Sequence, residues 1–139
     1  MIILLALVTV IGLSWGMYTY VSNAKIEHVY AYNCGLMDYK PTALTPFCAD
    51  FGVGIAHIKW DVWSAAKATG VGQYGMNLCE PSCAAGKWVY ADVNVTLTKS
   101  LLDKGKKVLT RVDFGTVNGK NLPLSNKSTN GWDLERKPL

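Results

Sequence analysis

Two hydrophobic patterns divide the chain. From Ile2 to Val21 no charged residue interrupts a run of mostly apolar side chains. Wound as a helix at 1.5 Å per residue, the run measures about 30 Å, the hydrocarbon thickness of a bilayer. Trp15, Tyr18 and Tyr20 gather toward its C-terminal end, where amphipathic rings favour the water interface, and Lys25 follows. The pattern predicts one N-terminal transmembrane helix within residues 1–24. Ser22-Asn23-Ala24 also offers small side chains of the kind a signal peptidase cuts after, so cleavage after Ala24 is the alternative. Against cleavage stand the length of the run and the lack of Lys or Arg before it.

Beyond Lys25 the period changes to two. Residues 26–32 alternate Ile26, His28, Tyr30 and Tyr32 against Glu27, Val29 and Ala31, a first strand with mixed faces. The stretch from Asn33 to Asp50, with two cysteines, two prolines and Gly35, reads as a loop. Residues 53–63 place Ile58, Trp60 and Val62 on one face and His57, Lys59 and Asp61 on the other, which predicts a half-buried, central strand. Residues 64–77 read as a further strand in which Gly70, Gly72 and Gly75 mark a bulge or sharp bend. The cleanest alternation is 88–98, with Val89, Ala91, Val93, Val95 and Leu97 dry and Trp88, Tyr90, Asp92, Asn94, Thr96 and Thr98 wet. Residues 106–114 set Val108, Val112 and Phe114 opposite Lys107, Arg111 and Asp113, and Asp103-Lys104-Gly105 supplies the hairpin turn. About five strands joined by turns predict an all-β fold, a small antiparallel sandwich or barrel over residues 25–117. From 118 to 139 the composition shifts to Asn, Ser, Lys, Gly and Pro around isolated Trp132 and Leu134. A flexible tail is expected there unless Trp132 docks on the domain or a partner.

Cysteine placement sets the compartment. Cys34, Cys48, Cys79 and Cys83 all lie downstream of the apolar run, and an even count in a small exported domain reads as two disulfides. Of the three pairings open to them, the two local closures, Cys34 with Cys48 and Cys79 with Cys83, are favoured because Pro81 bends the chain inside the second. A zinc site is the weaker reading, since Cys34 and Cys48 form no second knuckle and neither His28 nor His57 has a partner at ligand spacing. Disulfide-competent cysteines also orient the helix: the C-terminal domain lies outside a single-pass cell-membrane anchor or, after cleavage, is secreted.

Charge and motif narrow the chemistry further. The net charge of +4 is mild, and Lys99, Lys104, Lys106 and Lys107 around Asp103 and Gly105 read as a solvated hairpin tip, not a nucleic-acid face. No nucleophile motif accompanies the two histidines, and His57 beside Asp61 reads as a surface pair. Asp61, Asp92 and Asp113 point outward from their strands without the fixed spacing that glycosidic cleavage demands, and charge pairing with Lys59 and Arg111 explains them. Gly70-Val71-Gly72-Gln73-Tyr74-Gly75 is only a loose glycine-rich phosphate motif without a following helix. No catalytic residue, metal ligand or cofactor is therefore assigned. Trp63, Trp88 and Tyr90 fall on the phase opposite to the expected core, so they form either an exposed aromatic binding surface or a second core layer.

Several blocks carry a resemblance. Cys48-Ala49-Asp50, Ile58-Lys59-Trp60 with Trp63, Ala68-Thr69-Gly70 with Gly72, and Asn77 with Cys79-Glu80-Pro81-Ser82-Cys83-Ala84 and Gly86-Lys87 together resemble a family of small uncharacterised exported proteins, secreted or membrane-anchored, of actinobacteria and their phages. The likeness spans residues 34–114, and its most specific piece is the Asn-x-Cys-x-Pro-x-Cys block after a Trp-x-x-Trp strand; Phe51 stands where that pattern has glycine. It implies an envelope-associated or secreted β domain with a disulfide loop, and no activity. The expectation is a non-enzymatic, envelope-tethered binding or accessory module that contacts the membrane through its N-terminal helix and another envelope protein or complex through its domain. The alternatives are a secreted ligand-binding or hydrolytic domain acting on an envelope component, and a phage-encoded modifier of the host surface.

Overall fold

The alternating runs become strands, β1 (Val29–Asn33), β2 (Leu36–Asp38), β3 (Val53–Trp63), β4 (Ala68–Asn77), β5 (Trp88–Asp103), β6 (Lys106–Thr116) and β7 (Thr129–Asp133). A computed structural model describes residues 28–49 and 52–134; the apolar N-terminal run and the cleavage position at Ala24 lie outside the described residues. Among the described residues no helix is long and apolar enough to cross a membrane, and the fold is all-β.

One curled sheet, a half-barrel, takes the place of the two-sheet alternative. Its order is β2-β1-β6-β5-β4-β3, with β7 added on β6. The ladders are antiparallel except that β1 runs parallel to β6, Val29 beside Lys107 and Ala31 beside Leu109. The second edge of β6 is divided, its first part paired with β1 and Arg111 to Gly115 with β7. Two indoles tie the curl together: Trp63 Nε1 donates to the Val29 carbonyl at 2.9 Å and Trp60 Nε1 to the Pro41 carbonyl at 2.8 Å. Leu44 exchanges two backbone hydrogen bonds with Ile55, each 2.8 Å. The loop after β2 thus covers the outer edge of β3, which would otherwise present unpaired backbone groups.

The core follows the dry face of β5 and β6. Val93, Val95, Leu97, Val108 and Val112 are fully buried on it, Leu109 is buried on the opposite phase of β6, and Tyr74 stacks on Phe114 with ring centroids 5.1 Å apart. β3 departs from simple alternation and lies at the end of the sheet path instead of its centre. Its pairing with β4 slips between Ala56 and Lys59 and again between Trp60 and Val62. Each slip inserts an extra residue and reverses the facing of the residues after it. Ile55 and Ile58 are both buried in consequence, and Trp60 and Trp63, expected on opposite faces, meet at 5.0 Å between ring centroids. The bulges lie on β3, whereas the glycines that hinted at them lie on β4. Gly70 is their complement, since a Cβ there would run into the Lys59 carbonyl oxygen.

Two further segments differ from expectation. The stretch from Asn33 to Asp50 is not all loop, because Cys34 and Gly35, at φ 51° and 77°, form a two-residue turn into β2. The segment after Asn118 does not remain a free tail. Trp132 docks on Phe114 with centroids 5.2 Å apart, β7 pairs with β6, and Leu134 is buried, so the domain extends past residue 117.

Both local disulfides are formed, Cys34–Cys48 and Cys79–Cys83. The first joins the β1–β2 turn to the far end of the loop that covers β3. The second sits in the β4–β5 connection, where Asn77 accepts from the Cys79 amide at 2.9 Å through Oδ1 and donates to the Cys83 carbonyl at 2.8 Å through Nδ2. That bracing accounts physically for the asparagine in the Asn-x-Cys-x-Pro-x-Cys block. Two disulfides in so small a domain mark an oxidising, extracytoplasmic compartment.

Candidate functional site

Trp88 and Tyr90 occupy successive outward positions of β5, 41% and 57% exposed. Their rings lie nearly parallel, 12° apart in plane with centroids at 6.2 Å. Tyr90 is opposite Gly75 on β4, and Gly75 is opposite Gly54 on β3. The absence of a side chain at Gly75 lets the rings lean across the neighbouring strand. A Cβ at Gly75 would stand 3.1 Å from Tyr90 Cε1 and 3.4 Å from Trp88 Cε3. A glycine in mid-strand is unfavourable for a sheet unless something occupies the space it leaves; at Gly75 the aromatic pair does so, and at Gly54 the Leu44 carbonyl of the covering loop does.

Polar groups border this apolar floor. His57, set outward by the first bulge at φ 54°, and Gln73, opposite Asp92 on β5, line a groove of about 210 Å³ together with Ala56, Trp88 and Tyr90. The mouth is shallow, and its chemistry is that of recognition: flat rings for stacking or apolar contact, and a hydrogen-bonding rim. Gly54, Gly75 and His57 were absent from the sequence-level surface. A glycine in a strand reads equally as a bend, and a bulged histidine has no signature in the alternation.

Trp63 does not belong with this pair. It is half-buried between Trp60 and Tyr39, its ring 6.1 Å from the latter, and its indole N–H is committed to Val29. The second bulge turned it inward, and its role is to hold β3 against β1.

A separate polar network crosses β6 and β7. Arg111 donates to Asp113 Oδ1 through Nε at 3.0 Å and Nη2 at 2.9 Å, and through Nη1 to Asp133 Oδ1 at 3.4 Å. Lys99 reaches the same Asp133 oxygen at 3.4 Å. The hydrogen bond from Arg111, seconded by Lys99, draws the Asp133 carboxyl below its ordinary range, and the bond to Asp113 raises Arg111 further. These groups satisfy one another across strand edges. Asp113 sits opposite Thr96, four positions along β5 from Asp92, or about 14 Å at strand spacing. Asp61 lies on β3 at the other side of the sheet. The three carboxylates therefore do not converge at the separations glycosidases use.

Both cysteine pairs are oxidised, so their thiols are not free ligands; among the described residues no cluster of His, Cys, Asp and Glu is arranged to hold an ion. The Gly70 to Gly75 run is strand, paired on both sides, and offers no phosphate-cradling loop. No protein-family model, curated protein or solved structure matches the chain.

Proposed function

We propose that the protein is a non-enzymatic, extracytoplasmic binding module, tethered to the membrane by its N-terminal apolar run, that engages another envelope protein or complex through the Trp88–Tyr90 platform. The observation carrying this reading is the exposed, parallel aromatic pair over Gly75. Tryptophan and tyrosine supply large apolar contact area at little conformational cost and recur as the energetic centres of interfaces. The disulfide-braced loop from Cys79 to Cys83 borders the platform and limits the ordering that binding would demand. Position favours it as well. β1 starts beside Lys107, which pairs with Leu102, whereas Tyr90 lies toward the opposite end of β5, so the rings lie at the far end of the sheet from Val29.

The test places a photo-crosslinking side chain at position 90 in native membranes, with a second at Lys120 as control. Capture of the same partner from position 90 alone, abolished by Trp88→Ala, supports the reading. Equal capture from both positions, or capture indifferent to Trp88, refutes it.

A second reading arises from the same face. Gln73, His57 and Asp92 beside parallel rings are the groups that hydrogen-bond sugar hydroxyls while the rings stack on the sugar face, so the ligand would be an envelope polysaccharide and the domain a saccharide-binding one. Retention on isolated envelope polysaccharide, lost with Trp88→Ala and with Gln73→Ala, selects it over a protein partner.

A further inference from the structure

The tip of the β5–β6 hairpin carries an unusual combination. Leu101 and Leu102 are adjacent on β5 and so point to opposite faces, yet they are 43% and 71% exposed. These leucines are uncovered where β5 runs on past the start of β4, opposite Leu97, while Val108 across from Leu101 on β6 is fully buried. Lys104 and Gly105, at φ 48° and 75°, make the turn, and Lys106 and Lys107 come next. Exposed leucines at a strand end beside a lysine cluster are the pairing of apolar and basic groups that an interfacial contact with an anionic bilayer uses.

The topology says what lies nearby. β1 is parallel to β6 and starts with Val29 beside Lys107, and the Lys106 ammonium sits 4.8 Å over the Tyr30 ring. β2 returns the chain to the same end, where Tyr39, half exposed, meets His28 at 5.7 Å and lies under Lys40. Seven residues, Ser22 to His28, separate the uncharged apolar run from Val29, and a chain of that length reaches at most about 25 Å. A bilayer holding the run would thus lie within that distance of Val29, at the end of the sheet that carries the tip. Among the described residues the acidic groups at this end are engaged locally, Asp103 accepting from the Tyr32 hydroxyl at 2.7 Å and Asp38 from Asn33 at 3.4 Å.

We infer that the β5–β6 hairpin tip is a second membrane contact: Leu101 and Leu102 enter the headgroup boundary of an anionic bilayer while Lys104, Lys106 and Lys107 meet its phosphates. Tyr39 and Lys40 border the contact. The inference rests on the anchor reading. Each lysine near an anionic surface and each leucine at the interface adds a modest increment, and tethering raises the local lipid concentration enough for a weak contact to be populated. The lysine cluster that reads as a solvated tip in the sequence acquires a partner once the leucines beside it are seen to be uncovered.

The test reconstitutes the full chain in phosphatidylcholine vesicles with and without phosphatidylglycerol. Lysines are labelled with a membrane-impermeant amine reagent and the rates read by peptide mass spectrometry. Lys104, Lys106 and Lys107 are expected to label roughly fivefold slower with phosphatidylglycerol present, relative to Lys87 and Lys120 at the other end of the sheet as internal standards. Leu101→Ser with Leu102→Ser, and separately Lys104→Glu, should remove the protection; near-ultraviolet circular dichroism verifies that each variant folds. Equal rates in both lipids for the folded wild-type chain would overturn the inference. An alkaline wash judges the anchor separately. If the wash releases the chain, the anchor reading fails, and vesicle sedimentation of the released chain then decides the tip. Sedimentation that depends on phosphatidylglycerol and on Leu101 and Leu102 sustains the contact, and its absence overturns it.

Discussion

At Gly75 a single missing Cβ shapes the candidate surface. The outward exposure of Trp88 and Tyr90 is legible in the alternation of residues 88–98, because a strand with one dry face must present the other. The leaning of their rings over β4 is not legible, since it depends on which residue stands opposite Tyr90. Gly75→Val is therefore expected to displace the ring pair and abolish partner binding, whereas Trp88→Ala should abolish binding with stability altered by only about 0.5 kcal/mol, as for other exposed sites. Thermal melting beside the crosslinking yield separates the two effects. Loss of binding in Trp88→Ala together with a large fall in melting temperature would show the ring to be structural. Asp133 is the second residue with a specific consequence. Its carboxyl is held below the ordinary value by Arg111 and then Lys99, so its linkage favours the folded state above the unfolded pKa. That contribution is lost as pH falls through the lowered folded one. Amide protection in β7 should decline as the pH drops below about 4, and Asp133→Asn should flatten the decline. Hydrogen exchange across the acid range checks it.

Among the elements, the strands that announce themselves are those whose two faces differ. β5 and β6 were readable because Val93, Val95, Leu97, Val108 and Val112 sit in strict phase and are all buried. β3 was readable as a strand but not in its facing, because each bulge resets the phase and nothing local distinguishes a bulged His57 from a regular one. β7 was hidden for a different reason: Thr129-Asn130-Gly131-Trp132-Asp133 is too polar to suggest a strand. It forms because the pairing of β1 with β6 stops at Leu109 and leaves the rest of that edge open. Gly131 makes the close approach possible, since a Cβ there would strike Asp113 Oδ1. What holds β7 in place is Trp132, edge-on to Phe114. Trp132→Ala is expected to cost about 3 kcal/mol and to raise exchange of the β7 amides before that of β5. Denaturant melts with residue-resolved exchange distinguish this from a surface substitution, which would move neither.

For the whole molecule, the all-β class was accessible from the sequence and the closure was not, because the parallel β1–β6 pair and the Trp63-to-Val29 bond join residues far apart in the chain. Local alternation carries no information about such partners. The two disulfides act on this closure unequally. Cys34–Cys48 fixes the β1–β2 turn to the end of the loop that covers the outer edge of β3, and so links the two ends of the curl. Cys79–Cys83 closes a ring of a few residues within one connection that Asn77 already braces. In the chain-entropy view, the longer ring contributes about 3 kcal/mol and the shorter about 2. The pair Cys34→Ser and Cys48→Ser should therefore lower stability more than Cys79→Ser and Cys83→Ser. It should also raise exchange in both β1 and β3, while the second pair leaves those strands unchanged and loosens the border of the Trp88–Tyr90 platform. Partner binding then separates the two roles. Losing the second disulfide should weaken binding even by the folded fraction; losing the first should lower the melting transition further while binding by the still-folded fraction persists.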